Sequence, residues 1–248
     1  MTGKYKPCIV VNEYYTRFFI IMNIVKRYDY ADFDNIDDPV TGKRVYACPD
    51  GSFLPSVTTI LDATKDKTFL TQWRDRIGNE EADRQVGEAV RVGTLMHESV
   101  EQHILGLERK EKGNLIHRMA RKLADKIIMH GLSRVDEVWG VEIPLYFPHA
   151  YAGRTDLIGI FDGEPAVMDH KNSKKIKKDE WIVDYKMQLC AYALAHNELY
   201  DTKIRQGVIF MASRDDDYKT FVMKGDEFDD YTEQWIKKLE GFMLEQDD

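Results

Sequence analysis

The sequence predicts an α/β fold in which helices flank a β-sheet, and three observations lead to this expectation. Runs rich in β-branched and aromatic residues occupy positions 138–147, 155–161 and 165–173. Segments with the period of an amphipathic helix precede and follow these runs. With 248 residues, 43% of them hydrophobic and 31% charged, the chain can form one sizeable globular domain.

The second and third runs are joined by Asp162-Gly163, a strong signal for a β-hairpin turn. Because side chains alternate along a strand, Asp169 and Lys171 point to the same face. If the strands pair about the turn, Asp156 lies near Asp169 across the ladder. Two carboxylates and one ammonium are therefore expected to converge at one end of the sheet.

This combination of groups is typical of metal-assisted phosphodiester hydrolysis. Two neighbouring carboxylates repel each other unless a cation lies between them. Hard divalent cations such as Mg²⁺ prefer oxygen ligands and keep positions open for water and phosphate. An adjacent lysine can orient water or offset charge on the phosphate. A surface hairpin with an ordinary ion pair remains the alternative, since D-x-K triplets are common.

The N-terminal part, residues 1–66, is predicted to be an extension of the fold. An acidic loop over residues 32–38 precedes a small hairpin over residues 44–54. Ser56 or Thr58 can cap the helix that follows. Hydroxyls and amides at a helix start also suit a phosphate, but capping alone is the simpler interpretation.

Residues 67–109 are predicted to be helical. The apolar spacing of this segment comes from Trp73, Ile77, Val86, Val90 and Leu95. His97 and Glu101 share one helix face, together with Thr94. Imidazole is a common metal ligand that a glutamate can orient, although an ion pair between His97 and Glu101 is the commoner arrangement.

Further helices and strands frame the hairpin. A helix is expected over residues 114–130, and a strand over residues 138–147 carries Glu142, which can hydrogen-bond a catalytic group. A solvent-facing position is the simpler expectation for this glutamate. Strands over residues 203–212 and 218–224 and a helix over residues 227–244 close the chain.

The helix predicted over residues 179–200 has the most regular apolar face. That face includes Trp181, Tyr185, Leu189, Tyr192, Ala195 and Leu199. Gln188 and Tyr192 are four residues apart and project together. An amide beside a phenol suits a phosphate or a base edge, and it equally suits a hydrogen bond at the edge of the core.

Charge and cysteine content restrict the class of protein. The net charge of −8 does not suggest a general nucleic-acid coat protein, but a basic groove is compatible with it. Cys8, Cys48 and Cys190 are widely spaced, and the sequence contains no C-x-x-C motif. We therefore expect no cysteine-bound zinc site and no iron–sulfur cluster. No apolar run is long enough to span a membrane. We expect a cytoplasmic protein with free thiols.

Four motifs stand in order along the chain, namely GTLMH with Glu101, GRTD, DHK and QLCAY. This order resembles the PD-(D/E)XK nuclease superfamily in its RecB-type exonuclease branch. With the leading PSVTTIL, the chain resembles mitochondrial genome maintenance exonucleases and their bacteriophage relatives, which act on single-stranded DNA ends. The resemblance covers roughly residues 44–213. It implies a restriction-endonuclease-like core over residues 67–248, with a central mixed β-sheet flanked by helices and an N-terminal helical and hairpin extension.

The resemblance also implies roles for individual residues. The implied metal ligands are His97, Asp156, Asp169 and the backbone carbonyl of His170, and the implied catalytic residues are Asp156, Asp169 and Lys171. The resemblance also implies substrate contacts by Ser56, Thr58, Gln188 and Tyr192, of which Gln188 and Tyr192 orient either the lysine or the DNA backbone. From their predicted positions on a helix and a strand, Thr94 is a further candidate for substrate contact, and Glu101 and Glu142 are candidate supporting residues. The chain departs from the family pattern at Asn172, where threonine is usual, and at Arg154, where small or apolar residues are usual.

The function implied is a metal-dependent DNA exonuclease that leaves 5′-phosphates. Its cofactor would be Mg²⁺, for which Mn²⁺ could substitute. Its binding partner would be the ends of single-stranded DNA, and no membrane association is expected. If the protein is encoded by a phage, it would act in the host cytoplasm, alongside replication or recombination partners that the sequence does not identify. The alternatives are a structure-specific or double-strand endonuclease on the same fold, a non-catalytic DNA-end binding module, and a scaffold whose acids only form ion pairs.

Overall fold

The computed structural model describes residues 9–11, 18–38, 42, 44–109 and 113–247, so Cys8 lies outside the described residues. The strands are β1 (Ile9–Val11), β2 (Phe18–Ile20), β3 (Asn35–Asp37), β4 (Arg44–Ala47), β5 (Phe53–Leu54), β6 (Val135–Phe147), β7 (Tyr151–Phe161), β8 (Glu164–Ser173), β9 (Gln206–Ser213) and β10 (Tyr218–Lys224). The α-helices are α1 (Val57–Ala63), α2 (Thr68–Ile77), α3 (Asn79–Ile104), α4 (Leu115–Lys126), α5 (Val183–Tyr200) and α6 (Asp226–Asp247). A π-helical turn (Ile127–Gly131) extends α4, and a 3-10 turn (Asp179–Trp181) precedes α5.

The central sheet is mixed, and helices cover both of its faces. As far as the described residues show, its five strands lie in the order β10-β9-β8-β7-β6. Strands β8 and β9 run parallel because α5 returns the chain to the starting edge, whereas the other neighbours are antiparallel. The predicted α/β class, with a mixed sheet between helices, is confirmed.

Each face of the sheet buries its own set of helices. Helices α1, α5 and α6 pack on one face, where Tyr151, Ile158 and Trp235 are buried. Helices α3 and α4 pack on the other face, over Leu157 and Phe210. The successive residues Leu157 and Ile158 belong to opposite faces, as the alternation of a strand requires.

The predicted hairpin between β7 and β8 is present. Phe161 pairs with Glu164 across Asp162 and Gly163, whose φ angles are 50° and 83°. Two successive residues with positive φ form the turn that matches the right-handed twist of paired strands. The Asp-Gly pair therefore sets the register of the whole hairpin.

Three local predictions differ from the structure. The acidic loop over residues 32–38 contains strand β3, which pairs with β4 because Ile36 lies opposite Val45. The helix predicted over residues 67–109 is divided at Gly78, whose φ of 85° interrupts the helical backbone. The third difference concerns helix faces, since Val90 and Trp181 are exposed although their spacing places them in apolar stripes.

None of the helices in the described part of the chain combines the length and the apolar character needed to cross a bilayer.

Candidate active site

The candidate site forms where strands β7 and β8 separate. Their ladder ends at the pair Leu157↔Met168. Asp156 and Asp169 occupy the next register position, where β7 stays beside β6 and β8 stays beside β9. The two carboxylates therefore lie at a fork in the sheet, and Asp156 is reached from both sheet faces.

Asp156 is buried and surrounded by hydrogen-bond donors. Its Oδ2 atom accepts a hydrogen bond of 2.7 Å from the backbone N–H of His170. The same oxygen lies 3.3 Å from Nδ1 of His97 and 3.6 Å from Nδ1 of His170. Burial would raise the pKa of Asp156, but the positive charge of His97 outweighs it and holds that pKa below its usual range. The carboxylate is therefore ionised at neutral pH.

His97 reaches Asp156 from helix α3, which packs on the opposite face from α5. Burial would lower the pKa of His97, but the charge of Asp156 and its hydrogen bond raise that pKa to about 9. In the absence of a bound cation the imidazolium thus neutralises the carboxylate. The structure brings His97 and Asp156 together. Among the residues that the structure describes, no hydrogen bond joins Glu101 to His97.

Glu142 faces the same site, although the simpler sequence expectation placed it in solvent. Its neighbours in β6 pair with the neighbours of Asp156, so the two acids lie opposite each other. Glu142 Oε1 is 4.0 Å from His97 Nδ1. Burial, together with the charge of Asp156, raises the pKa of Glu142 to about 7. Its φ of 51° is unusual within a strand, and Arg154 Nη1 secures this backbone by donating to the Glu142 carbonyl at 2.6 Å.

Asp169 and Lys171 form an ion pair on the α5 face of β8. Lys171 Nζ donates to Asp169 Oδ1 at 2.9 Å and lies 2.8 Å from Oδ2 without the alignment of a second hydrogen bond. Burial raises the pKa of Asp169 to about 6, although the ammonium opposes this shift. Burial would lower the pKa of Lys171, but Asp169 and Asp156 outweigh it and raise that pKa above its usual value. Lys171 therefore remains an ammonium.

Gln188 and Tyr192 of α5 form a hydrogen-bonded chain that supports the ammonium group of Lys171. Lys171 Nζ donates to Gln188 Oε1 at 3.2 Å, and Gln188 Nε2 donates to the Tyr192 hydroxyl at 3.1 Å. Both α5 residues are buried, so their polar groups meet Lys171 and each other rather than the surface. Gly153 leaves room for this arrangement, because a Cβ there would lie 2.7 Å from Cε1 of Tyr192.

The remaining candidates for substrate contact have other partners. Ser56 caps α1 by accepting a hydrogen bond of 2.9 Å from the Thr59 N–H, and its hydroxyl is 2.9 Å from that of Thr58. The segment lies beside β7, since Ala152 N–H donates to the Pro55 carbonyl at 2.9 Å. Thr94 is exposed and bonds to the carbonyl of Val90 in its own helix.

The side chain of His170 was missed as a candidate, because alternation along β8 directs it away from Asp169. The fork nevertheless brings Asp156 to it, and nitrogen or oxygen atoms of His97, Asp156 and His170 lie within 4.8 Å of one another. Burial lowers the pKa of His170 to about 4, so the imidazole is neutral. Among the described residues, the buried atoms without a hydrogen-bond partner include Thr155 Oγ1, Asp169 Oδ2 and His170 Nε2. Neutral imidazole and carboxylate oxygens with spare lone pairs fit a divalent metal ion.

Helix α2 belongs to the connection between the two sheet faces. It joins α1 on the α5 face to α3 on the opposite face and contains no buried residue. Lys65, just before α2, contacts Asp184 at the start of α5 at 2.6 Å, and Arg74 contacts Asp83 of α3 at 2.8 Å. This connection therefore links the start of α5 to the first half of α3, two helices that both contact β8.

No protein-family model matches this chain, and no curated protein matches it significantly. Among solved structures, a candidate exonuclease from Eubacterium rectale is 15% identical, with a TM-score of 0.47 over 64% of this chain and 65% of its own. The chain thus corresponds to less than two thirds of that protein. The structure of SSO0001 is 14% identical, with a TM-score of 0.28 over 61% of this chain and 85% of its own. Both TM-scores lie below 0.5, so the function is inferred from the residues of this chain.

Proposed function

We propose that this protein is a divalent-metal-dependent nuclease that hydrolyses single-stranded DNA from its ends and leaves 5′-phosphates. The observation that supports it best is the meeting of His97, Asp156, Asp169 and Lys171 at the fork between β7 and β8. Buried carboxylates beside a fixed ammonium are a costly arrangement for a structural ion pair alone. They suit a site in which a cation and a phosphate are bound together.

The metal ligands would be His97, Asp156 and Asp169, with His170 next to them. When bound, Mg²⁺ or Mn²⁺ lowers the pKa of water and offsets the charge that develops on the phosphate. The imidazole of His97 can ligate only as the neutral base, so binding of the cation has to displace its proton.

Lys171 acts as a charged hydrogen-bond donor in this proposal. Because the neighbouring carboxylates raise its pKa above the usual value, we assign Lys171 to hydrogen-bond donation rather than to proton abstraction from the attacking water. Its ammonium can instead position that water and stabilise negative charge on a non-bridging phosphate oxygen. Gln188 limits the motion of the ammonium through the hydrogen bond of 3.2 Å, which keeps it oriented before substrate arrives.

The preference for a single strand with a free end rests on helix α2. We infer that this connection, which forms surface ion pairs with Asp184 and Asp83, narrows the approach to Lys171. A single strand entering by its end meets this restriction more easily than a duplex or a closed circle. We therefore favour an exonuclease over an endonuclease on the same fold.

A cleavage assay tests the proposal. Purified protein is incubated with end-labelled single-stranded, double-stranded and circular single-stranded DNA, with Mg²⁺, Mn²⁺ or EDTA. We expect a ladder of products from the linear single strand with either metal, and an intact circle. Products with 5′-phosphates should resist labelling by polynucleotide kinase until phosphatase has removed the phosphate. Cleavage of the circle would favour the endonuclease alternative.

Two variants separate catalysis from binding. Lys171→Ala and Asp169→Asn should abolish cleavage while a fluorescent single-stranded oligonucleotide still binds. Asp162→Asn serves as the matched control, because it makes the same change at the hairpin turn, where Asp162 is paired with Arg134. Undiminished hydrolysis by either site variant would defeat the assignment. Binding without cleavage by the wild-type protein would favour a DNA-end binding module.

A further inference from the structure

A basic segment leads from the candidate site to an exposed tryptophan. Residues 174–178, the lysine segment, connect β8 to the 3-10 turn before α5 and contain four lysines. Trp181 follows in that turn, with 62% of its surface exposed. Tryptophan is highly buried on average, so an indole with this exposure is available to contact a ligand.

Aromatic rings and ammonium groups alternate along this path. Lys171 Nζ lies 4.8 Å from the ring centre of Tyr185, and Lys177 Nζ lies 4.6 Å from the same ring. Lys177 also donates to the Tyr185 hydroxyl at 2.7 Å. Lys178 Nζ then lies 5.3 Å from the ring centre of Trp181. The two sets of contacts are consecutive along the chain, because Lys177 and Lys178 are neighbouring residues.

The charge of this path contrasts with that of the whole protein, whose net charge is −8. The two acids next to the lysine segment are already engaged. Asp179 accepts a hydrogen bond from the buried Lys186, and Glu180 lies 3.5 Å from Lys178. The pair between Lys178 and Glu180 is well exposed and therefore weak, so Lys178 remains able to bind a phosphate.

We propose that Trp181 is a stacking subsite for an unpaired base, and that the lysine segment binds the phosphates on either side of that base. The proposal rests on the proposed nuclease function and adds the path by which the strand reaches Lys171. An aromatic platform beside lysines is the arrangement that binds single strands without regard to sequence. The subsite discriminates against duplex, because a base inside a duplex is stacked between its neighbouring base pairs and presents no free face to the indole ring.

Stacking on Trp181 is measured by binding of a fluorescent single-stranded oligonucleotide, with Ca²⁺ in place of Mg²⁺ to prevent cleavage. Stacking of one base contributes roughly 1–3 kcal/mol, so Trp181→Ala should raise the Kd roughly 5- to 150-fold. Trp181→Phe should recover part of this loss, because phenylalanine keeps an aromatic face. Phe53→Ala is the matched control, since Phe53 is a half-exposed aromatic residue on β5.

An abasic scan identifies the stacked nucleotide. Single abasic sites are placed at successive positions of the oligonucleotide, and each Kd is measured with wild-type protein and with Trp181→Ala. One position should weaken binding to the wild type and have no further effect in the variant. Equal affinity of Trp181→Ala and wild type, or the same abasic profile for both, would overturn the subsite while leaving the nuclease proposal intact. A wild-type protein that binds no polynucleotide would overturn both.

Discussion

The side chain of Asn172 joins the end of strand β8 to helix α3 by donating from Nδ2 to the carbonyl of Ala89 at 3.3 Å. Gly93, one turn further along α3, approaches so closely that a Cβ there would lie 3.2 Å from Asn172 Oδ1. Ala89, Gly93 and His97 follow at intervals of four residues and share one helix face. Asn172 therefore fixes the distance between β8 and the helix that carries His97.

Replacing Asn172 should reduce activity more than stability. Asn172→Ala removes this hydrogen bond between β8 and α3, and a small displacement of His97 should lower kcat by about tenfold or more. Loss of one exposed hydrogen bond should reduce the free energy of unfolding by about 1 kcal/mol or less. Steady-state kinetics and urea denaturation measure the two effects.

Gln85→Ala is the matched control for this change. Gln85 donates a hydrogen bond to Glu81 within α3. Its replacement by alanine removes the same kind of side-chain amide, but at a position away from β8. Its kcat should equal that of the wild type. If Asn172→Ala also kept the full kcat, Asn172 would have no part in positioning His97.

Gly153 is expected to be essential for the orientation of Lys171. In Gly153→Ala the new Cβ would meet the Tyr192 ring at 2.7 Å, so Tyr192 has to move and Gln188 loses its partner. We expect a loss of about 1–3 kcal/mol in unfolding free energy, typical of overpacking, together with a lower kcat. Gly241→Ala, in α6 with no atom within 4 Å, should be neutral or stabilising by up to about 1 kcal/mol. Equal stability of the two variants would contradict the packing described for Tyr192.

His196 should make the fold sensitive to acid. It is fully buried, and burial lowers its pKa to about 4. The Thr202 hydroxyl donates to Asn197 and so accepts from His196 Nδ1 at 2.8 Å, while Nε2 accepts from the Tyr30 hydroxyl at 3.1 Å. The neutral ring therefore satisfies both of its nitrogens in the folded state.

The sign of the pH effect follows from these pKa values. In the unfolded chain this histidine takes up a proton as the pH falls below about 6.5. In the folded protein His196 stays neutral until the pH approaches about 4, so the unfolded state binds the extra proton between these two pH values. His196 should therefore lower the free energy of unfolding by on the order of 2–3 kcal/mol between pH 7 and pH 4. Urea denaturation of the wild type and of His196→Gln at both pH values tests this. An equal loss in the two proteins would show that His196 does not titrate in this way.

The hairpin that carries the two acids could be predicted because its information is local. Asp162-Gly163 sets the register, and the register places Asp156 and Asp169 at one level of the sheet. Glu142 could not be predicted in the same way. Its position depends on a left-handed backbone that Arg154 stabilises from a neighbouring strand, and neither the spacing nor the residue type indicates this.

Helical periodicity predicted the helices but not always their buried faces. Val90 lies about 200° around the helix from Val92, and Val92 is the one that packs against the sheet. Trp181 was assigned to the apolar face of the following helix, but that helix begins only at Val183. The turn before it directs the indole to the surface.

The account depends on the sharing of one divalent ion by His97 and Asp156, and a titration with Mn²⁺ followed by electron paramagnetic resonance tests this directly. The wild type and the surface control Asp162→Asn should bind one Mn²⁺ with equal affinity. His97→Ala and Asp156→Asn should bind it at least about tenfold more weakly. Equal Mn²⁺ affinity in all four proteins, or no bound Mn²⁺ in the wild type, would contradict the account.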